Sequence, residues 1–168
     1  MIRLSPKLLL ATAGLACAIS VGLALAAQHR WEMQPCPWCI LQRMLFILLA
    51  LLCGVAAVLP QASRRAVSGL ALLAALSGAA AALWQHFVAA QSASCALTLA
   101  DRIIAATRLD TAWPDVFEVR ASCAEAAVRV LGLPFEVWSL ALFAVVGIAL
   151  VLSVLTPGRR NDRHRSLS

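Results

Sequence analysis

The sequence predicts an all-α membrane protein: a four-transmembrane-helix bundle with a large outer loop that carries a short amphipathic helix. Three observations predict it. Of 168 residues, 62% are apolar and 13% charged, against about 45–50% and about 25% in soluble domains. The apolar residues gather in four long runs. The basic residues concentrate at alternate ends of those runs. A soluble domain of this composition would lack polar surface, and disordered chains are poor in apolar residues.

The first run spans about 8–27, Leu8 to Ala27. The second spans about 40–59, with Gln42 and Arg43 near its start. The third and fourth span about 66–87 and about 137–155. Each is long enough to cross a hydrocarbon core about 30 Å thick as a helix. The runs are continuously apolar rather than alternating, which disfavours barrel strands. Ala24-Leu25-Ala26 looks like a signal cleavage site, but the run exceeds a usual signal core and is read as a retained span. Small residues such as Gly14, Gly22, Gly69 and Gly78 suit close helix packing in lipid. One domain, 1–168, accounts for the chain.

Lys and Arg set the orientation. The N-terminus, the link after span two and the tail 156–168 hold eight basic residues and one acid, Asp162. The loops 28–39 and 88–136 hold five basic residues and seven acids. Both termini are therefore expected in the cytoplasm, and both longer loops outside. All five Trp lie on the outer side, where interfacial aromatics anchor spans. The basic tail is then an orientation signal, not a nucleic-acid site. Within the larger loop, residues 96–109 read as an amphipathic helix with Leu97, Ala100, Ile103 and Ile104 on one side. That side faces either the membrane surface or the rest of the loop.

The six cysteines divide by position. Cys17 and Cys53 lie inside spans one and two and read as small apolar residues. Cys36, Cys39, Cys95 and Cys123 lie outside. Pairing Cys36 with Cys39 and Cys95 with Cys123 is the favoured arrangement, although four cysteines allow three connectivities. The Cys36-Pro37-Trp38-Cys39 pair closes a small ring at a helix N-terminus, where the dipole favours thiolate. Arg43 follows at four residues from Cys39 and seven from Cys36, on the same helix face. A cation there stabilises a thiolate or a reduced anionic acceptor; the bland reading is snorkelling to the interface. A haem motif is excluded because residue 40 is Ile. A metal carrier using Cys36, Cys39 and His29, or a scaffold with two structural disulfides, is the non-enzyme alternative; no metal is expected.

With these residues in view the chain resembles the DsbB family of disulfide-bond formation proteins of bacterial inner membranes. The likeness covers Pro35-Cys36-x-x-Cys39 opening span two, Arg43, Cys95 after span three, and Cys123 before span four. It extends through Cys123-Ala124-Glu125, Leu131-Gly132-Leu133-Pro134 and Trp138-Ser139-Leu140. The resemblance implies a quinone-dependent oxidase, using ubiquinone or menaquinone, of a soluble DsbA-like thioredoxin-fold partner in the periplasm. It implies attack by the partner on Cys95, exchange of Cys123 with Cys36, and electron transfer through Cys39 to a quinone beside Arg43. His86 is the further quinone-site candidate, in a Gln85-His86 pair where the family often has Arg-His. Gln91 stands five residues after His86 rather than the family's four, so no role is carried to it. The vitamin K epoxide reductase family also sets a Cys-x-x-Cys beside a quinone. Its loop cysteines precede that motif, whereas here they follow it.

Overall fold

A computed structural model describes residues 5–91 and 98–156. Four helices are long and apolar enough to cross a membrane: α1 (Pro6–Arg30), α2 (Pro37–Val58), α3 (Gln61–Phe87) and α7 (Phe135–Leu155). Between α3 and α7 come a 3₁₀ turn (Ala89–Gln91), α4 (Leu99–Thr107), α5 (Leu109–Ala112) and α6 (Pro114–Phe117). A two-residue hairpin of β1 (Arg129–Val130) and β2 (Leu133–Pro134) leads into α7. Outward-facing Leu15, Leu23, Leu73, Leu76 and Ile148 are exposed. An apolar exterior of this kind suits lipid, and the chain is a multi-pass membrane protein.

Helix starts follow local chemistry. Ser5 caps α1, its Oγ accepting from Leu8 N at 3.2 Å, with Pro6 in the first turn. Cys36 takes the same position for α2, followed by Pro37. The third helix starts at Gln61, earlier than the expected 66, because only Leu59 and Pro60 join it to α2. Arg64 and Arg65 therefore lie in the first turns of α3 instead of a link, and Arg64 is buried.

The four long helices form a ring in which α1 packs on α2, α2 on α3, α3 on α7 and α7 on α1. Leu10, Cys17, Leu49, Cys53, Ala71, Val146 and Leu150 fill the middle. Cys17 and Cys53 are thus core residues. Gly14 lets α1 approach α2, since a Cβ there would meet Cys53 Cβ at 3.1 Å. Phe46 and Phe143 stack with centroids 4.0 Å apart.

The amphipathic helix runs over 99–107, shorter than 96–109; Leu97 lies outside the described residues. Thr98 and Asp101 form a reciprocal capping box that sets its start, and Arg108 ends it with a φ of 54°. Ala100 and Ile104 are buried, Ile104 against Phe117 of α6 in the loop and also against Ile40 of α2, so that side packs on the end of the bundle as well as on the loop.

Phe143 is held between Phe46 and Gly78, where an added Cβ would lie 2.2 Å from Phe143 Cε1. Gly78→Ala should therefore destabilise the bundle by about 1–3 kcal/mol, read as a lower unfolding midpoint in detergent. Phe143→Leu in the same chain should recover part of the loss. An unchanged midpoint in Gly78→Ala would contradict this packing.

Candidate functional site

Three sulfurs meet at the start of α2. Cys36 is fully buried as the N-cap, and its Sγ accepts from Cys39 N at 3.3 Å. The free thiols of Cys36 and Cys39 lie 2.8 Å apart, sulfur to sulfur. Cys39 is one helical turn into α2, which aligns it with the cap.

Cys123 reaches the same point from the segment between α3 and α7. Arg120 N and Ala121 N both donate to Pro35 O, at 3.0 and 3.3 Å, tying that segment to the residue before Cys36. Ser122 and Glu125 close the next turn: Ser122 N donates to Glu125 Oε2 at 2.9 Å, and Glu125 N to Ser122 Oγ at 3.3 Å. The Ser122 backbone bond holds the Glu125 carboxyl below its usual range. Cys123, inside this turn, is buried with Cys36, Trp38 and Ala100. Interaction with the neighbouring Cys123 and Cys39 thiols pushes the Cys36 thiol up, and Cys36 in turn pulls the Cys123 thiol down. Cys95 lies outside the described residues.

Arg43 continues the face one turn further in. It is buried, so it is not a snorkelling anchor. Its Nη1 donates to Gln28 Oε1 of α1 at 2.9 Å and to the Val116 carbonyl of α6. Gln28 Nε2 in turn donates to Asp115 O at 3.1 Å. Arg43 Nε is a buried donor with no partner among the described residues.

A cavity of about 620 Å³ lies beside Arg43, between α1, α2 and α7, with β1 on its wall. Cys39, Gln42 and Arg43, together with Ser20, Arg129 and Ser139, contribute its polar lining; Val21, Phe46 and Leu142 are among its apolar walls. Leu23, Trp31 and Trp138 line it and are exposed on the helix exteriors, which gives an approach from lipid. The hairpin that borders it turns through Leu131 and Gly132, at φ 53° and 83°. Trp138 Nε1 holds it by donating to Val130 O at 3.1 Å.

His86 is not part of the cavity wall. It sits at the end of α3, its Nδ1 3.0 Å from Oε1 of buried Glu136 on α7. Gln91 ends the 3₁₀ turn and is exposed. His29 is exposed and bonded through Nδ1 to Leu25 O at 2.8 Å. Among the described residues no three His, Cys, Asp or Glu side chains are grouped to hold a metal.

Sequence reasoning did not single out Gln28 or the Gln42–Gln85 pair. Gln42 Nε2 donates to Gln85 Oε1 at 2.7 Å, and Gln85 Nε2 to Cys39 Sγ at 3.3 Å. The available signal was a polar residue inside or beside an apolar span, which must find a partner or a task.

Buried thiols at a helix N-terminus, aligned with an apolar cavity that holds a buried cation, define a membrane thiol–disulfide protein. The family model for disulfide bond formation protein DsbB matches residues 6–153. Similar curated proteins include disulfide bond formation protein B of Verminephrobacter eiseniae, 34% identical over 96% of this chain and 93% of its own. That of Polaromonas naphthalenivorans is 33% identical over 96% of both chains. Disulfide bond formation protein B 2 of Burkholderia lata is 36% identical over 82% of both. No solved structure matches. The chain belongs to the DsbB family of disulfide bond formation proteins.

Because Cys36 holds the Cys123 thiol down, Cys36→Ala should move the pH profile of Cys123 alkylation to higher pH in the reduced protein. At pH 7 its rate should fall severalfold, followed by peptide mass spectrometry. An unchanged profile would mean that the two thiols are not coupled.

Proposed function

We propose that this protein reoxidises a DsbA-like thioredoxin-fold dithiol in the periplasm and passes the electrons to ubiquinone or menaquinone, generating disulfides de novo. It sits in the bacterial inner membrane with both termini in the cytoplasm and Cys36, Cys39, Cys95 and Cys123 on the periplasmic side. The observation that carries this reading is the continuity of Cys123, Cys36, Cys39 and the cavity beside Arg43.

The cavity suits a quinone head group. Its volume of about 620 Å³ falls in the range of small-molecule sites, about 300–1,000 Å³. Its walls are mainly apolar, and Arg43 on its wall brings a cation of the kind that favours a carbonyl oxygen. A quinone bound there supplies a two-electron, two-proton acceptor soluble in lipid.

The residues of the chain then have distinct tasks. A thiolate of the partner attacks the Cys95–Cys123 disulfide at Cys95, forming a mixed disulfide and releasing Cys123 as thiolate. The partner's second thiolate displaces Cys95, so the partner leaves oxidised. Cys123 attacks Cys36 of the Cys36–Cys39 disulfide and releases Cys39 as thiolate. Cys95 then displaces Cys36 from Cys123, which restores the Cys95–Cys123 bond and leaves Cys36 and Cys39 reduced. The pair gives up two electrons and two protons at the cavity and closes again. Arg43 holds the acceptor end and favours negative charge there. His86 contributes from outside the cavity, through its bond to Glu136 and the seating of α3 against α7.

Purified protein given a reduced thioredoxin-fold partner should reduce ubiquinone or menaquinone; absence of turnover with every quinone would remove the oxidase reading. Arg43→Ala should raise the apparent KM for quinone about tenfold, the scale of one hydrogen bond from a charged group. Unchanged quinone kinetics would leave Arg43 a purely structural tie among α1, α2 and α6. Replacing both Cys17 and Cys53 by Ala should leave turnover largely intact. A loss as large as that of Cys36→Ser, with normal folding, would contradict their assignment to the core.

A further inference from the structure

Cys39 faces two neighbours besides Cys36. On the cavity side is the Arg43 end of the site. On the α3 side is Gln85, whose Nε2 lies 3.3 Å from Cys39 Sγ. Both Gln85 and Gln42 are about 4% exposed, so neither amide can trade these bonds for water. A buried amide in such a place must satisfy both its ends inside the protein.

The two amides form an ordered chain. Gln42 Nε2 donates to Gln85 Oε1 at 2.7 Å, which occupies the acceptor end of Gln85. The donor end is thereby turned to the sulfur. A thiolate is an acceptor only, so the orientation decides the sign of the effect. With N–H toward sulfur the ionised form is favoured; with the carbonyl toward sulfur it is opposed. A hydrogen bond to an ionised partner is also the stronger kind.

We propose that Gln85 is a catalytic residue that holds the Cys39 sulfur in its ionised form, and that Gln42 is the positioning residue that fixes which end of the Gln85 amide meets it. This rests on the reading that Cys39 is the thiol facing the acceptor. Reduction of the Cys36–Cys39 disulfide takes up two electrons. With one proton taken up, the product is a Cys36 thiol and a Cys39 thiolate. Gln85 stabilises that reduced product and makes no equivalent bond to the neutral disulfide. It therefore raises the reduction potential of the pair, which helps the pair accept electrons from the outer cysteines.

The test measures that potential in quinone-free detergent, on the full chain with Cys95 and Cys123 replaced by Ala. The protein is equilibrated with dithiothreitol buffers, and the Cys36–Cys39 pair is read by alkylation and mass spectrometry. Gln85→Met keeps the volume and removes the donor. It should shift the exchange equilibrium about tenfold toward the disulfide, about 30 mV more negative. Gln85→Glu keeps the acceptor for Gln42 and replaces the donor by a second oxygen, so its shift should be larger. It also preserves the packing if the Met variant fails to fold. Gln42→Met should give a smaller shift alone and none in the Gln85→Met background, because it acts through Gln85. Unmoved potentials in both Gln85 variants, with normal thermal midpoints, would overturn the role of Gln85. Fully additive effects of the two Met substitutions would overturn the role of Gln42. No quinone enters the measurement, so a chain inactive with every quinone could still show these shifts. The oxidase reading would then fail while this inference stood.

Discussion

The arrangement depends on the N-terminus of α2. A helix begins with backbone N–H groups that have no partner inside the helix, and here the Cys36 sulfur serves as the cap. That choice puts a thiol where partial positive charge is greatest. The helical repeat then carries the same face inward, to Cys39 after one turn and Arg43 after the next. The Pro35 carbonyl, just before the cap, receives both N–H groups that bring the Cys123 segment in. One stretch of nine residues, 35–43, thus joins a loop thiol, an interior thiol pair and a cavity.

Polar groups at this depth lack water, and the structure answers with side-chain partners. Gln28, Arg43 and the carbonyls of Asp115 and Val116 tie α1, α2 and α6 together. Gln42 and Gln85 tie α2 to α3, and His86 with Glu136 ties α3 to α7. Each crossing sits at the end of the bundle that carries the cysteines. The middle of the bundle relies on small residues and stacked rings, as at Gly14, Gly78 and Phe143. The division is physical: apolar packing holds the bundle, and hydrogen bonds hold the site.

Much of this was legible in the chain. Four apolar runs became four helices because continuous hydrophobicity at that length has few other outcomes in lipid. The Cys36–Cys39–Arg43 face followed from helical spacing alone. Other features depended on distant contacts. Arg43 is turned inward because Gln28 and Val116 accept from it, and those partners lie 15 and 73 residues away. Gln85 read as a departure from the family's Arg-His pair; its bond to Cys39 spans 46 residues. The start of α3 lies at Gln61, ahead of the Arg64–Arg65 pair, because a two-residue link suffices, and polarity was a poor guide to where that helix begins. The cavity was not legible at all, since it is made of the spaces between α1, α2, α7 and a hairpin too short to show a strand pattern.

Cys123 and Cys36 meet at the α2 cap, and the proposed function has electrons enter there. The most direct measurement is disulfide mapping in the Cys39→Ala, Cys95→Ala double variant, which removes the competing partners of Cys36 and of Cys123. Under mild oxidation, peptide mass spectrometry should find a Cys36–Cys123 bond as a major species. Its absence, with Cys36 left as a free thiol in folded protein, would contradict the account.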